Sequence, residues 1–337
     1  MRIPRPIKPG DTIGVCAPSS GVTGEKFLKR IEYSESIFNE FGFNIKETES
    51  VGKNSKCTSN KPEKRLEEFM TLYKDDLVGA IIPPWGGEFL MEMLPIMDFE
   101  EISSLPPKWV MGFSDISLLL FVLTLKADMI TVHGPNLLDF ASRDESVISV
   151  IDFLKNPEEI IKQKNLDYYQ KNWPELSEDG HNPYKKTEKV YWKTIKNSTV
   201  EMSGKLIGGC LDVLISVFGT PYAPVADFIK KNKEEGIIWF LESCEMNASD
   251  IYRALWRMKE SGFFNNCNGI LYGRTEGYSD TGDFTKVDAF ERISKELKIP
   301  IIYDADIGHL PPQITLFNGA HAEIKTYGGK GEIIQRL

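Results

Sequence analysis

Short apolar runs alternate with segments of helical periodicity over the first 150 residues of this 337-residue chain. Such an alternation is typical of a mostly parallel sheet that helices cover on both faces. In sheets of this kind the ligand lies at the carboxyl ends of the strands. Strands are predicted at 12–18, 43–45, 78–82, 109–111 and 129–132, and helices at 26–41, 61–72, 88–94 and 116–126.

The pattern changes at residues 165–203, which are rich in aromatic, proline and charged residues and have no clear period. A long segment of this kind is either a linker or a functional lid, and both interpretations stay open. After it, strands and helices resume. We therefore predict an α/β fold with an N-terminal α/β domain at 1–164, a linker or lid at 165–203 and a C-terminal α/β domain at 204–337. A strand and glycine turn entering a helix are predicted at 204–217, strands at 236–242, 269–273 and 300–304, and helices at 248–261 and 286–297.

Composition narrows the partners and the compartment. The formal net charge of -9, with acidic and basic residues interspersed, argues against nucleic acid or an anionic membrane surface as the main partner. No apolar stretch approaches the roughly 20 residues of a membrane span, and the N-terminus does not match a signal peptide. The five cysteines are scattered and form no Cys-x-x-Cys pair, so we expect reduced thiols and a cytoplasmic protein.

A serine stands where the strand at 109–111 passes into the helix at 116–126, in the run Gly112-Phe113-Ser114-Asp115. A serine held on such a turn exposes its hydroxyl, and the next backbone N–H groups point outward, as acyl transfer requires. The same residues also suit an ordinary helix start, with Ser114 as N-cap and Asp115 favoured by the helix dipole. The run therefore indicates a serine hydrolase only if a base and an acid exist elsewhere.

The best candidates for base and acid follow two later strands. Of the four histidines, His309 lies in a glycine and proline loop after the strand at 300–304, although a solvated loop histidine is the alternative. Glu242 ends an almost wholly apolar strand, where a carboxylate is costly without a partner such as an imidazole, unless the strand surfaces there. The order serine, glutamate, histidine is that of α/β-hydrolases, but Ile116 replaces the second glycine of their Gly-x-Ser-x-Gly turn, so another scaffold is needed.

Six motifs together resemble the LD-carboxypeptidase family of serine peptidases, which includes muramoyl-tetrapeptide carboxypeptidases and microcin C self-immunity peptidases. The resemblance extends over nearly the whole chain. It is carried, in order, by Trp85-Gly86-Gly87, Gly112-Phe113-Ser114-Asp115, His133-Gly134-Pro135, the run from Lys205 to Leu211, Leu241-Glu242 and Gly308-His309.

The resemblance implies a triad in which Ser114 is the nucleophile, His309 the general base and acid, and Glu242 the residue that orients the imidazole. It also implies that the backbone N–H groups of Gly87 and Asp115 form the oxyanion hole.

Further expectations follow from the same likeness. Gly86 would shape the turn beside Gly87, and the side chain of Asp115 would cap a helix. The C-terminal α/β domain would be β-rich, and the site would lie in the cleft between the domains of a homodimer. No metal or cofactor is expected, since Asp304, Asp306 and His309 in one short loop are a weak imitation of a metal cluster.

Two substrate classes suit such a peptidase: a murein tetrapeptide that loses its terminal D-alanine, and a microcin-type peptidyl nucleotide. The segment at 165–203 looks like the extended loop that microcin-immunity-like members use, where an aromatic ring could stack on a base. On that ground we slightly favour the peptidyl nucleotide and expect Trp85, Gly86, Trp173 and Trp192 to contact substrate. The residue before the glycines fits neither branch, since wall-recycling members usually have a basic residue there.

Two other functions remain possible on the sequence. One is a non-catalytic module in which two α/β domains clamp a small ligand and Ser114 only caps a helix. The other is a cysteine enzyme that uses Cys16 or Cys244.

Overall fold

A computed structural model describes residues 1–173, 175–196 and 198–337. Its strands form one sheet of six, one sheet of eight and a two-stranded ribbon. Within these ranges no helix has the length and apolar character needed to cross a membrane. The α/β fold class is confirmed.

The first half of the chain folds as alternating strands and helices, with two 3₁₀ helices at Leu90–Ile96 and Leu137–Ser142. Its strands and helices are β1 (Thr12–Val15), α1 (Glu25–Glu40), β2 (Asn44–Glu47), α2 (Pro62–Lys74), β3 (Val78–Ile81), α3 (Phe99–Ser104), β4 (Trp109–Gly112), α4 (Ile116–Ala127), β5 (Thr131–His133), α5 (Glu145–Ile148) and α6 (Val150–Lys155).

The second half is richer in strands. Its elements are β6 (Ile161–Lys164), β7 (Tyr168–Tyr169), β8 (Glu188–Lys189), β9 (Lys193–Thr194), β10 (Val200–Cys210), α7 (Leu211–Leu214), α8 (Val225–Lys231), β11 (Ile237–Glu242), α9 (Ala248–Glu260), β12 (Cys267–Gly273), α10 (Lys286–Leu297), β13 (Ile301–Ala305), β14 (Leu316–Asn318), β15 (His321–Tyr327) and β16 (Lys330–Arg336).

The two sheets differ in strand direction. The six-stranded sheet has the order β14-β5-β4-β3-β1-β2, in which β1 to β5 are parallel and β14 is antiparallel to β5. The eight-stranded sheet has the order β6-β16-β15-β10-β11-β12-β13-β9, with a parallel centre from β10 to β13 and antiparallel flanks. The C-terminal region is therefore β-rich, as expected.

Helix α4 packs against both sheets and so fixes the site at their junction. Ten of its twelve residues are buried, including the run from Leu118 to Leu123, and an all-round apolar helix of this kind belongs in a core. Its apolar residues pack with residues of β10 and β11 such as Ile207 and Trp239. A Cβ on Gly209 of β10 would lie 2.7 Å from the Cβ of Ser117, so the strand approaches the helix where glycine leaves room.

The sheets do not follow the expected domain boundaries at two places. Strand β6, from the 1–164 region, pairs with β16 in the C-terminal sheet, and β14, from the 204–337 region, completes the N-terminal sheet beside β5. Each half of the chain therefore supplies an edge strand to the other sheet.

Four local predictions need correction. The helix expected at 88–94 is the 3₁₀ helix Leu90–Ile96, which has Pro95 inside it. The strand expected at 129–132 is Thr131–His133, and the glycines expected to form a turn within 204–217 instead lie inside β10. The segment at 165–203 is not wholly irregular, since β7 and β8 form an antiparallel ribbon and β9 pairs with β13.

Candidate active site

Ser114 lies on a strained turn between β4 and α4. Its φ of 61° is in the left-handed region, which is uncommon for a residue other than glycine and is a mark of functional turns. The side chain is half-buried, whereas its neighbours Phe113 and Asp115 are buried. Because α4 starts at Ile116 and packs against both sheets, the turn opens at the junction of the two regions.

The two glycines after Trp85 pack tightly around this turn. A Cβ on Gly86 would lie 2.7 Å from the Cβ and Oγ of Ser114 and 2.9 Å from the backbone N of Asp115. Gly87 has a φ of 144°, and a Cβ there would lie 2.4 Å from the hydroxyls of Ser19 and Ser20. No side chain fits at either position, so the loop lies directly against the serine.

Two backbone donors at the turn have no protein partner among the residues that the structure describes. In the described part of the chain, neither the N–H of Gly87 nor that of Asp115 donates to a protein acceptor. The carbonyl of Gly86, by contrast, accepts from the N–H of Ser20 at 3.2 Å. The arrangement leaves both expected oxyanion donors available to a ligand.

The side chain of Asp115 has a different role from the one expected. It forms no capping hydrogen bond to α4. Instead, the buried carboxylate accepts from the Ser19 hydroxyl and from the backbone N–H of Leu90 at 2.9 Å, and burial raises its pKa. The carboxylate thus ties the serine turn to two neighbouring loops.

Glu242 and His309 form a buried pair. The Nδ1 of His309 lies 2.9 Å from Oε2 of Glu242, which is fully buried at the end of β11. Burial disfavours the charged form of each group, but their mutual attraction and hydrogen bond leave the pKa of Glu242 below its usual value. Burial likewise opposes protonation of His309, yet the Glu242 carboxylate, together with a contact from Cys244, raises the pKa of the imidazole well above 6.5.

Gly308 allows this pair to form. Its φ is 100°, and a Cβ there would lie 2.6 Å from Oε2 of Glu242, the oxygen that bonds His309. Gly273 of β12 is similarly close, with its added Cβ 2.9 Å from the Cβ of Glu242. Gly308 belongs to one of the motifs of the family resemblance, whereas Gly273 was not singled out by sequence reasoning.

The imidazole of His309 lies beside the serine turn. Its ring packs edge-on against Phe113, the residue before Ser114, with ring centroids 5.0 Å apart. No hydrogen bond joins Ser114 to His309 within the described ranges. The structure therefore brings Glu242 and His309 together and places the His309 ring against Phe113, which precedes Ser114. The contact between Ser114 and His309 stays a prediction.

An aromatic pocket of about 300 Å³ adjoins the turn. Trp85 packs edge-on against Phe27 at 5.3 Å between centroids, and Trp173 lies on the same pocket with about half of its surface exposed. The Trp173 indole N–H donates to Glu276, so the 165–203 segment bridges the pocket and the C-terminal region. The remaining lining comes from Arg30, Pro84, Phe113, Asn136, Leu138, Asp139 and Leu176.

Trp192 lies away from this pocket, and its expected contact with substrate needs correction. Its side chain is buried in the C-terminal core, where the indole N–H donates to Oδ2 of Asp306 at 2.8 Å. A Cβ on Gly331 would lie 2.0 Å from its ring. Trp192 packs the sheet, whereas Trp85 and Trp173 line the pocket.

His133, which belongs to one of the six motifs but was not chosen as the base, lies near the site. It is fully buried at the end of β5, its ring packs against Phe240 with centroids 5.2 Å apart, and burial lowers its pKa to about 4. Its Nδ1 lies 3.4 Å from the Ser117 hydroxyl, while its Nε2 has no partner in the described chain. Its place at the end of a strand in the same parallel sheet as β4 is what made its loop a candidate for the site.

One group of residues could hold a metal ion in the described ranges: Cys210, Glu242 and His309, whose ligand atoms lie within 4.8 Å of one another. Burial raises the pKa of the Cys210 thiol well above its usual value, which opposes the thiolate that a metal needs. The cluster of Asp304, Asp306 and His309 does not form, because Asp304 pairs with lysines and Asp306 with Arg274.

The structure does not favour the alternative of a cysteine enzyme that uses Cys16 or Cys244. Cys16 is fully buried and burial raises the pKa of its thiol. Cys244 is half-buried beside His309, and burial also raises its pKa, although the contact with His309 opposes this rise. A nucleophilic cysteine needs the opposite, a lowered pKa.

Comparison with known proteins agrees with this geometry. The protein-family model for the LD-carboxypeptidase N-terminal domain matches residues 13–134 of this chain. The family model for the LD-carboxypeptidase C-terminal domain matches residues 203–324. These matches define the class as serine peptidase. The chain belongs to the LD-carboxypeptidase family, and the resemblance drawn from its motifs is confirmed.

Three relatives are similar along almost their whole length. A putative carboxypeptidase of Vibrio cholerae is 26% identical, with 94% of this chain and 92% of the relative covered. The microcin C7 self-immunity protein MccF of Escherichia coli is 25% identical, with 92% and 89% covered. A probable murein peptide carboxypeptidase of Bacillus subtilis is 25% identical, with 96% and 91% covered.

Solved structures share the fold. MccF in complex with aspartyl sulfamoyl adenosine has a TM-score of 0.82 at 22% identity, with 99% of this chain and 98% of that chain covered. Muramoyltetrapeptide carboxypeptidase from Oxalobacter formigenes has a TM-score of 0.73 at 19% identity, with 97% and 99% covered.

Proposed function

We propose that this protein is a cytoplasmic, homodimeric serine carboxypeptidase that hydrolyses an amide bond and releases a C-terminal moiety from a small peptide conjugate. The observation that carries the proposal is the buried hydrogen bond of 2.9 Å between Glu242 and His309, packed against Phe113 at the start of the serine turn. Membership of the LD-carboxypeptidase family supports the same reaction.

In the first half of the proposed reaction, the Ser114 hydroxyl attacks the amide carbonyl carbon while Nε2 of His309 accepts its proton. Glu242 holds Nδ1 of the ring, which leaves Nε2 to face the serine, and stabilises the imidazolium that forms. The carbonyl oxygen becomes an oxyanion, for which the free N–H groups of Gly87 and Asp115 are suitable donors. His309 then gives the proton to the leaving nitrogen as the amide bond breaks.

In the second half, water attacks the acyl-serine ester and His309 accepts a proton from that water. The ester bond breaks, the proton returns to Ser114, and the peptide acid is released. Contact between Ser114 and His309 is needed in both halves, and a rotation of the serine side chain or a small closure on substrate would supply it, since catalytic hydrogen bonds often tighten only in the complex.

The aromatic pocket favours a peptidyl nucleotide as substrate. Trp85, Trp173, Phe27 and Phe113 offer flat apolar faces around about 300 Å³, which suits a stacked base and exceeds what the methyl group of D-alanine requires. Arg30 and Asp139, which lie 3.9 Å apart, add a charged pair to the same pocket. Likeness to MccF, named as a microcin self-immunity protein, agrees with this choice.

The second candidate is a muramoyl-tetrapeptide LD-carboxypeptidase that releases terminal D-alanine in murein recycling. It is supported by the likeness to the murein peptide carboxypeptidase of Bacillus subtilis, which is as close in identity as MccF. The two candidates share the chemistry and differ only in the group that leaves.

A substrate assay with two arms tests the proposal. The pure protein is incubated with murein tetrapeptide in one arm and with an aminoacyl sulfamoyl adenosine in the other, and products are identified by mass spectrometry. We expect cleavage of the nucleotide conjugate, and Ser114→Ala protein prepared in parallel should give no product. Cleavage of the tetrapeptide alone would favour the second candidate.

A serine-directed phosphonate separates an enzyme from a binding module. We expect covalent labelling at Ser114, located by peptide mapping. An unlabelled Ser114 in protein that also turns over neither substrate would contradict a serine peptidase.

A further inference from the structure

A small cavity of about 170 Å³ lies in the C-terminal region beside the loop that carries His309. One wall comes from the 165–203 segment, through Lys189 of β8 and Lys193 of β9. The other wall comes from the sheet and from α10, through Arg274, Lys286 and Asp304. Among the described residues, the charged lining of this cavity thus consists of four cationic side chains and one carboxylate, in a chain whose net charge is -9.

Asp304 does not balance this charge. Its carboxylate is shared between Nζ of Lys193, at 2.9 Å, and Nζ of Lys286, at 2.6 Å. The Asp304 backbone is in the left-handed region, with a φ of 57°. Lys189 forms no ion pair with any residue that the structure describes.

Arg274 is built into the wall rather than attached to its surface. It is 5% exposed, its guanidinium pairs with Asp306, and it donates to the backbone carbonyls of Leu310 at 3.0 Å and Pro312 at 3.2 Å. Tyr169 covers it, with the ring centroid 4.4 Å from Cζ. The buried Nε has no acceptor among the described residues, an unmet donor that is costly unless a ligand satisfies it.

We propose that this cavity binds an anionic group, a carboxylate or a phosphate. Lysine ammonium groups and a guanidinium that converge on one cavity are the usual partners of such groups. Arg274 holds Leu310, which directly follows His309, so a bound anion would be tied to the loop that positions the imidazole. The anion could be an acidic group of the substrate or a free anion, and this binding does not depend on the proposed amide hydrolysis.

Titration with inorganic phosphate tests the site. Isothermal calorimetry at low ionic strength is done on wild type, on Lys189→Met and on the control Lys171→Met. Lys189 and Lys171 are both exposed lysines of the same segment, but only Lys189 lines the cavity. We expect Lys189→Met to weaken phosphate binding about fivefold, the effect of one unit charge at contact distance in water, and Lys171→Met to leave it unchanged. Thermal melting checks that both variants are folded.

A second measurement separates the two sources of the anion. The value of KM is compared for an acidic substrate and for the same substrate with its acidic group amidated. If the anion belongs to the substrate, Lys189→Met raises KM for the acidic form alone. If it is a free anion, phosphate binding weakens while the KM ratio stays as in wild type.

The inference is overturned if wild type binds no phosphate and Lys189→Met leaves the KM ratio unchanged, or if Lys189→Met equals Lys171→Met in every titration and assay. Failure of the proposed function is distinguishable, because an enzyme that cleaves neither substrate can still be titrated with phosphate.

Discussion

The two halves of the candidate site are held by different kinds of force. In the N-terminal region the backbone positions the serine: Ser114 has a left-handed φ, and Gly86 and Gly87 pack where no side chain fits. In the C-terminal region charge positions the base, through the buried hydrogen bond between Glu242 and His309. The first half should therefore be sensitive to steric changes and the second to changes in charge and pH.

Removing the nucleophile should have the largest effect. Ser114→Ala removes the hydroxyl that forms the acyl intermediate, and we expect kcat to fall by about 10⁴-fold to 10⁶-fold without loss of fold. Steady-state kinetics with circular dichroism measures both. Cys244→Ala, which tests the cysteine alternative, should keep most of the activity, and the reverse result would transfer the nucleophile to Cys244.

Removing the negative charge of Glu242, which holds the base His309, should have the second-largest effect. Glu242→Gln keeps the size of the side chain but no longer stabilises the imidazolium or fixes its tautomer, so we expect kcat to fall by about 10³-fold to 10⁴-fold. The double variant should lose little more than Ser114→Ala alone, because the residues act as one unit. An additive loss in the double variant would contradict a shared mechanism.

The pH profile sharpens the same contrast. His309 must be neutral to act as a base, and Glu242 raises its pKa well above 6.5, so wild-type kcat/KM should fall as pH decreases through that raised pKa. In Glu242→Gln the attraction is lost while burial remains, so the acid limb should move to lower pH. If the acid limb of the kcat/KM profile does not move in Glu242→Gln, then Glu242 does not set the pKa of the group that titrates.

Steric crowding at Ser114 should lower activity less than either Ser114→Ala or Glu242→Gln does. Gly86→Ala places a Cβ 2.7 Å from the Ser114 Cβ and Oγ, and a displaced nucleophile should lower kcat/KM by about 10²-fold. Gly52→Ala is the matched control, because an added Cβ there meets no atom within 4 Å. Equal activity of the two variants would show that the loop at Gly86 moves to accept a side chain without displacing Ser114.

A substitution in the aromatic pocket should have the smallest effect on activity. Trp173→Ala removes one stacking face, and we expect KM for the nucleotide conjugate to rise about tenfold with kcat little changed. Trp256→Ala, an exposed tryptophan on α9, is the control. A Trp173→Ala enzyme with unchanged KM would favour the murein candidate.

Much of the N-terminal region could be predicted because its information is local. The alternation of apolar strands with periodic helices indicated a parallel sheet, and the glycine and serine at the end of β4 indicated the turn. Trp192 shows the limit of such reasoning: an aromatic residue in a segment without periodicity gives no sign of whether it packs a core or faces a ligand.

By itself, the sequence determined the α/β class and the place of the serine turn, because strand and turn preferences act over a few residues, and it made Glu242 and His309 candidates for the acid and the base. Only the tertiary structure brought those two side chains, 67 positions apart, to 2.9 Å, and it alone exchanged β6 and β14 between the sheets. The physical reason is that pairing between distant segments depends on which surfaces the whole chain buries together. Neighbouring residues do not encode that choice.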